Sequence, residues 1–265
     1  MNANAPAGKI ITQETVTSLR RWTDSLLTFT TTKPPGYSFT AGQYARLGLA
    51  DERGMIWRAY SMTSAPHEEE LEFYGIIVPG GLFTTRLDLI QPGDQIDIES
   101  QTYGFMTVDR FTGGEDLWML ATGTGVGPYL SILRDPEVWG RFRRLILVHC
   151  VRHAEEFAYK EELAELQRRP PSELPADQRA ELRILRSTTR EQTEPGEYLH
   201  GRITTLLESG ELERAAGRPL NETDSRIMMC GNPQMIEDMR HILHRRGMRP
   251  VRRALPGQFV TENYW

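Results

Sequence analysis

Gly123-Thr124-Gly125-Val126-Gly127-Pro128 is the stretch whose composition points most directly to chemistry. It lies between a solid apolar run, Leu117-Trp118-Met119-Leu120-Ala121, and a segment of helical spacing, Tyr129 to Leu133. Glycines let a backbone approach a diphosphate closely, and the amides at a helix N-terminus favour its negative charge. Pro128 has the fixed φ that suits a first helical turn. The spacing G-x-G-x-G-P departs from the common G-x-G-x-x-G fingerprint, so a strand–helix turn without a ligand is an alternative reading. A second cluster, Arg58-Ala59-Tyr60-Ser61, suits a flat, charged ligand. Tyr60 offers a stacking face for a fused ring such as isoalloxazine, Arg58 can neutralise a diphosphate, and Ser61 can hydrogen-bond a ring edge. By residue type alone the same cluster is also an ordinary strand, with Tyr60 in the core and Arg58 in solvent.

The elements that must position these residues fall into two textures. Up to residue 111 the chain reads as short strands: Val16 to Thr31, Tyr44 to Leu49, Leu71 to Val78 and Gln95 to Glu99. Gly/Pro turns separate them, and Thr84–Leu89 is a weak helix. This pattern predicts a small antiparallel Greek-key β-barrel. After Phe111-Thr112-Gly113-Gly114, buried-type apolar strands alternate with helices. The strands are Leu117–Ala121, Leu145–Val151, Leu182–Leu185 and Arg226–Cys230; the helices are Tyr129–Leu133, Glu155–Gln167, Ile203–Ser209 and Met235–Arg246. Such alternation predicts an α/β doubly wound parallel sheet. The expected domains are therefore 1–111 and 112–265, with 168–181 as a solvated loop.

Composition narrows the classes. Hydrophobic residues at 39% and charged residues at 25% are those of a globular protein, and a net charge of −5 gives no general affinity for nucleic acid. No apolar run is long enough to span a bilayer, and the N-terminus lacks the pattern of a signal peptide, so a cytoplasmic location with no membrane is expected. Two cysteines, Cys150 and Cys230, are too few for an iron–sulfur cluster or a Cys-rich zinc site. No metal is expected, and redox chemistry here requires an organic cofactor.

Taken in order, Phe39-Thr40-Ala41-Gly42-Gln43-Tyr44, Arg58-Ala59-Tyr60-Ser61, Gly123 to Pro128, Thr189-Arg190-Glu191-Gln192 and Met229-Cys230-Gly231-Asn232-Pro233 resemble the ferredoxin–NADP⁺ reductase family over most of the chain. The ending, Gly257 to Trp265, is similar to the bacterial branch. The resemblance implies non-covalent FAD, held by Arg58, Ala59, Tyr60, Ser61, Tyr74, Leu82, Phe83, Thr84 and Thr124. It implies an NADP(H) site at Gly123, Thr124, Gly125, Gly127, Arg152, Thr189, Arg190, Arg202, Cys230, Gly231, Asn232 and Pro233. Forked guanidiniums suit a ribose 2′-phosphate, so Arg152, Arg190 and Arg202 favour NADPH over NADH. Ser61 would lie near flavin N5 and Cys230 beside the nicotinamide. Tyr264 would cover the flavin face opposite Tyr60, Trp265 would pack on the adenine, and Glu262 is a candidate proton or positioning group. The implied reaction is hydride transfer between NADPH and flavin N5, with single electrons passing to ferredoxin or flavodoxin.

Those carriers are acidic, and Arg240, Arg245, Arg246, Arg249, Arg252 and Arg253 form a basic stretch that could meet them. A solvated basic helix face is the alternative. A monomer is implied by the resemblance. A flavin reductase of the same superfamily and a dinucleotide-binding regulatory module without turnover are rival readings.

Overall fold

The computed structural model describes residues 10–52, 54–191, 196–253 and 255–263. Tyr264, Trp265 and Gln192 lie outside the described residues.

The first domain is one antiparallel six-stranded sheet: β1 (Ile11–Arg21), β2 (Leu26–Thr32), β3 (Tyr44–Asp51), β4 (Gly54–Ser61), β5 (Glu70–Ile76) and β6 (Gln95–Glu99). Their spatial order is β4-β3-β6-β1-β2-β5. The sheet curls until its two edges meet through a Met62–Phe73 bridge, which gives the expected barrel-like shape. Val16 to Thr31 runs through parts of two strands, β1 and β2, because Thr23 Oγ1 accepts hydrogen bonds from the Ser25 and Leu26 amides and closes a turn. Inward residues such as Val16, Leu27, Phe29, Leu47, Phe73 and Ile98 fill the barrel. The helix α1 (Leu82–Leu87) covers it with Phe83 and Leu87.

The second domain is a parallel sheet of order β10-β9-β8-β7-β11-β12. Its strands are β7 (Asp116–Thr122), β8 (Arg144–Val151), β9 (Glu181–Thr188), β10 (Leu199–His200), β11 (Ser225–Gly231) and β12 (Phe259–Asn263). Alternation along β7 explains its unbroken apolar sequence. Leu117, Met119 and Ala121 face α2 (Gly127–Arg134) and α3 (Lys160–Arg168). Trp118 and Leu120 face α4 (Ile203–Glu208), α5 (Glu211–Ala216) and α6 (Pro233–Arg245). Arg226 pins the interdomain connection by donating to Thr112 O at 3.0 and 3.2 Å.

One expected helix is broken. Glu155–Gln167 divides into a 3-10 turn, Ala154–Glu156, and α3, because Tyr159 between them adopts φ 59°. A left-handed conformation is costly for a bulky residue, about 1–3 kcal/mol, and persists only where packing over-determines it. Tyr159 is buried at the seam between the domains, where its hydroxyl meets Thr28 at 2.6 Å and its ring meets Trp22 and Tyr74. The chain from 169 to 180 has neither helix nor strand.

Candidate active site at the domain seam

The glycine loop winds as a 3-10 turn, Gly123–Val126, directly into α2, with Pro128 in the first helical turn. Close backbone approach makes two glycines necessary. A Cβ on Gly125 would lie 2.3 Å from Cys230 O, and one on Gly231, at φ +128°, would lie 2.2 Å from Thr122 Oγ1. Gly123 is different: it has φ +54° and open space where a side chain would be, so its backbone faces the cleft. Asn232 joins loop to helix. Its amide donates to Thr122 Oγ1 at 2.7 Å, and its Oδ1 accepts from the Gln234 and Met235 amides, capping α6 with Pro233 following.

Around this loop lies a cleft of about 710 Å³ at the carboxyl ends of the parallel strands. Gly123, Thr124, Arg152, Thr189, Arg190, Arg202, Gly231 and Asn232 all line it, so the structure brings together most of the residues expected at the coenzyme. Leu26 and Ile76 complete the wall from the first domain. Arg152, Arg190 and Arg202 are exposed. Arg152 Nε is paired with Glu156 Oε1 at 3.0 Å, whereas Arg190 and Arg202 have no ion pair among the described residues. The glycine backbone and these guanidiniums fit a phosphorylated dinucleotide.

The residues expected at the flavin divide by exposure. Arg58, Ala59 and Leu82 are exposed, Tyr60 is half-buried and Ser61 is buried at the end of β4. The Tyr60 ring rests on Phe83 and Phe29, with centroids 5.4 and 6.3 Å away. It also lies flush on β5, where a Cβ at Gly75 would come within 2.8 Å of Tyr60 Cε1. Phe83 is thus a support beneath Tyr60 rather than an open contact surface. The Thr84 hydroxyl is engaged with its own loop, donating to Val78 O and accepting from the Val78 amide. Tyr74 turns towards Tyr159, and its hydroxyl is buried without a partner among the described residues. A supported, half-exposed aromatic face beside an exposed arginine fits a planar, phosphorylated group.

At the base of the seam, β11 sets Cys230 beside Ala121 on β7 and Glu262 on β12. Burial pushes the Glu262 carboxyl up to about 7, and its Oε2 has no hydrogen-bond partner among the described residues. Cys230 and Cys150 are buried, and neither is in a disulfide. His149 was not singled out by sequence. Its Nε2 is 2.9 Å from Gly123 O, and burial holds it down to about 4, so it is neutral near pH 7 and its Nε2–H can fix the first peptide of the glycine loop. Gly75 was also missed, although a glycine inside an alternating strand signals a close approach.

The basic stretch does not form one free face. Arg246 donates to both carboxylate oxygens of Glu213 and to Leu220 O, tying α6 to α5. Arg245 pairs with Glu208 at 2.7 Å, and Arg240 lies 3.9 Å from Glu237. Arg249, Arg252 and Arg253 are exposed. Among the described residues no acidic, His or Cys cluster could hold a metal, and no helix is long and apolar enough to cross a membrane.

Family models agree with the two-domain division. An oxidoreductase FAD-binding domain matches residues 16–105, and an oxidoreductase NAD-binding domain matches residues 119–241. The chain is 42% identical over 251 residues to a flavodoxin/ferredoxin–NADP reductase of Shigella flexneri, covering 94% of this chain and 97% of that protein. It is 38% identical to ferredoxin–NADP reductase A of Sorangium cellulosum, covering 95% and 89%. A crystal structure of a ferredoxin NADP⁺ reductase from Neisseria gonorrhoeae with bound FAD and NADP superposes with a TM-score of 0.88 at 34% identity, covering 96% and 99%. A flavohemoglobin from Malassezia yamatoensis, at 18% identity and a TM-score of 0.74, covers 97% of this chain and 60% of its own, and shares the fold. With the glycine loop, the arginine-rimmed cleft and relatives of this identity along nearly its whole length, the chain belongs to the flavodoxin/ferredoxin–NADP reductase family.

Proposed function

We propose that the protein is an FAD-dependent reductase passing electrons between NADPH and ferredoxin or flavodoxin. One observation carries this reading. A single cleft has the glycine loop as its floor, Arg190 and Arg202 on its rim and Leu26 and Ile76 of the first domain in its wall. A dinucleotide held by the second domain therefore extends into the seam with the first. FAD, when bound, supplies hydride exchange with NADPH and single-electron exchange with the carrier.

The residues of this chain bind, orient and exclude. Tyr60, supported by Gly75 and Phe83, offers a stacking platform, with Arg58 beside it for phosphate and Ser61 at the ring edge. Arg190 and Arg202 select the 2′-phosphate, while His149 holds the Gly123 carbonyl. Glu262, protonated or not near neutrality, can hold a proton beside Cys230. In this reading Tyr264 and Trp265 cover the flavin and adenine, the domains divide at 111/112, and Arg249, Arg252 and Arg253 meet an acidic carrier. A cytoplasmic monomer completes it. Purified protein should be yellow, release FAD on acid precipitation and be bleached anaerobically by NADPH. Colourless protein that takes up no FAD, or colour that stays covalently attached, would contradict the reading.

A further inference from the structure

We infer that Glu72, Arg134 and Tyr159 form an interdomain lock that sets the position of the glycine loop over the first domain, making them positioning residues for hydride transfer. The inference rests on the reading of the cleft as the place where coenzyme and flavin meet.

Strand geometry links the lock to the cleft. Leu26 pairs with Ile76 and Thr28 with Tyr74 across β2 and β5. Residues two apart share a face, so Leu26 and Thr28 point the same way, as do Ile76, Tyr74 and Glu72. The cleft wall and the lock are thus neighbouring rungs of one ladder, about 6.5–7 Å apart per two residues.

The opposing half comes from the second domain. Arg134 ends α2, the helix that begins at the glycine loop, and Tyr159 precedes α3. Arg134 Nη1 reaches Glu72 Oε1 at 2.8 Å and Thr63 O at 2.8 Å, while its Nε holds Glu162 Oε1 at 2.6 Å. Glu72 Oε1 also accepts from the Thr63 hydroxyl at 2.6 Å and from the Tyr159 hydroxyl at 3.2 Å. One carboxylate of the first domain therefore gathers donors from the end of α2 and from the residue that precedes α3. The Arg134 and Glu72 side chains are only 13% and 19% exposed, so solvent offers poor replacement partners. Buried ion pairs contribute little net stability but penalise every misaligned arrangement, and this suits an alignment device.

The lever can be worked out. The eight residues of α2 span about 12 Å at 1.5 Å per residue, so a 5° rotation at the lock moves the glycine loop by about 1 Å. A misplacement of about 1 Å can cost a hundredfold in rate.

The test uses FAD-loaded, full-length protein with Glu72→Gln and Tyr159→Phe. Stopped-flow gives the rate of flavin reduction at saturating NADPH and the NADPH dissociation constant, and calorimetry records unfolding. For Glu72→Gln we expect reduction slowed by about tenfold or more, NADPH affinity changed less than about twofold, FAD retained, and the unfolding endotherm split in two. Tyr159→Phe keeps the ring and loses the hydroxyl, so it should slow reduction by about threefold in the same pattern, and it decides the matter if Glu72→Gln does not fold. Reduction within about twofold of the parent, whatever the melting temperature, would overturn the proposal, because a merely structural contact changes stability alone. If the parent itself is not reduced by NADPH, the functional reading fails, and splitting of the endotherm still decides the lock.

Discussion

Replacing Arg190 and Arg202 together with alanine should separate NADPH from NADH. Both guanidiniums are exposed on the cleft rim and neither is ion-paired among the described residues, so both are available to a 2′-phosphate. A hydrogen bond to a charged group contributes about 1.5–3 kcal/mol, and the exposure of both arginines argues for the lower end. Allowing for non-additivity, the pair contributes about 2–3 kcal/mol, or about 30- to 150-fold in KM for NADPH. Arg152 is already held by Glu156, which receives both its Nε and its backbone amide at 3.0 and 3.1 Å. Arg152→Ala should therefore cost less than about fivefold. Steady-state kinetics with ferricyanide as acceptor, run in parallel with both coenzymes, would measure this. The reasoning is refuted if KM for NADH rises by the same factor, or if Arg152→Ala costs more than the double replacement.

Tyr60→Ala should lower FAD affinity by about tenfold or more, since an aromatic pair at a desolvated site contributes about 0.5–1.5 kcal/mol beyond the area it buries; equilibrium dialysis returning the parent value would restore the plain core reading of Tyr60. Gly75→Ala should act on the same site from behind, because the new Cβ would displace the Tyr60 ring from 2.8 Å. The two replacements should then be non-additive in FAD affinity, and strict additivity would separate Gly75 from the platform. Glu262 is a pH effect with a definite sign. Its carboxyl is raised by burial from 4.5 to about 7, so its contribution to stability is fully present below about pH 4.5 and is lost as pH rises through about 7. The loss is on the order of 3 kcal/mol at most. Glu262→Gln should thus gain in melting temperature over the parent at pH 8 relative to pH 5; an equal difference at both pH values would show that the carboxyl is not buried as described.

What was legible in the sequence was what depends on local pattern. The runs around Leu120 and Val148 are apolar without alternation because both faces of those strands are covered, and Gly125 and Gly231 are glycines because backbones cross there. Tertiary context decided what the pattern could not show. Nothing local announces a left-handed Tyr159, whose partners on Glu72 and Thr28 are 87 and 131 residues away. The ties within the basic stretch were hidden for a similar reason. Arg245 and Arg246 meet carboxylates on Glu208 and Glu213, which are distant in sequence, so a run of positive residues became in part a structural tie. The side-chain contacts of Phe83 and Thr84 were likewise beyond local pattern: one supports Tyr60 and the other closes the loop from Val78 to Gly81. The short elements α5 and β12 carried no periodic signal long enough to read.

The central claim, that this chain links a two-electron coenzyme to a one-electron carrier, is tested most directly by double-mixing stopped-flow under anaerobic conditions. The FAD-loaded protein is first reduced with one equivalent of NADPH and then mixed with oxidised ferredoxin or flavodoxin. The account predicts bleaching of the flavin in the first step, much faster with NADPH than with NADH. In the second step flavin absorbance should return as the carrier is reduced, two carrier molecules per flavin when each accepts one electron. Flavin that is not reduced by NADPH, or reduced flavin that passes no electrons to either carrier, would contradict it.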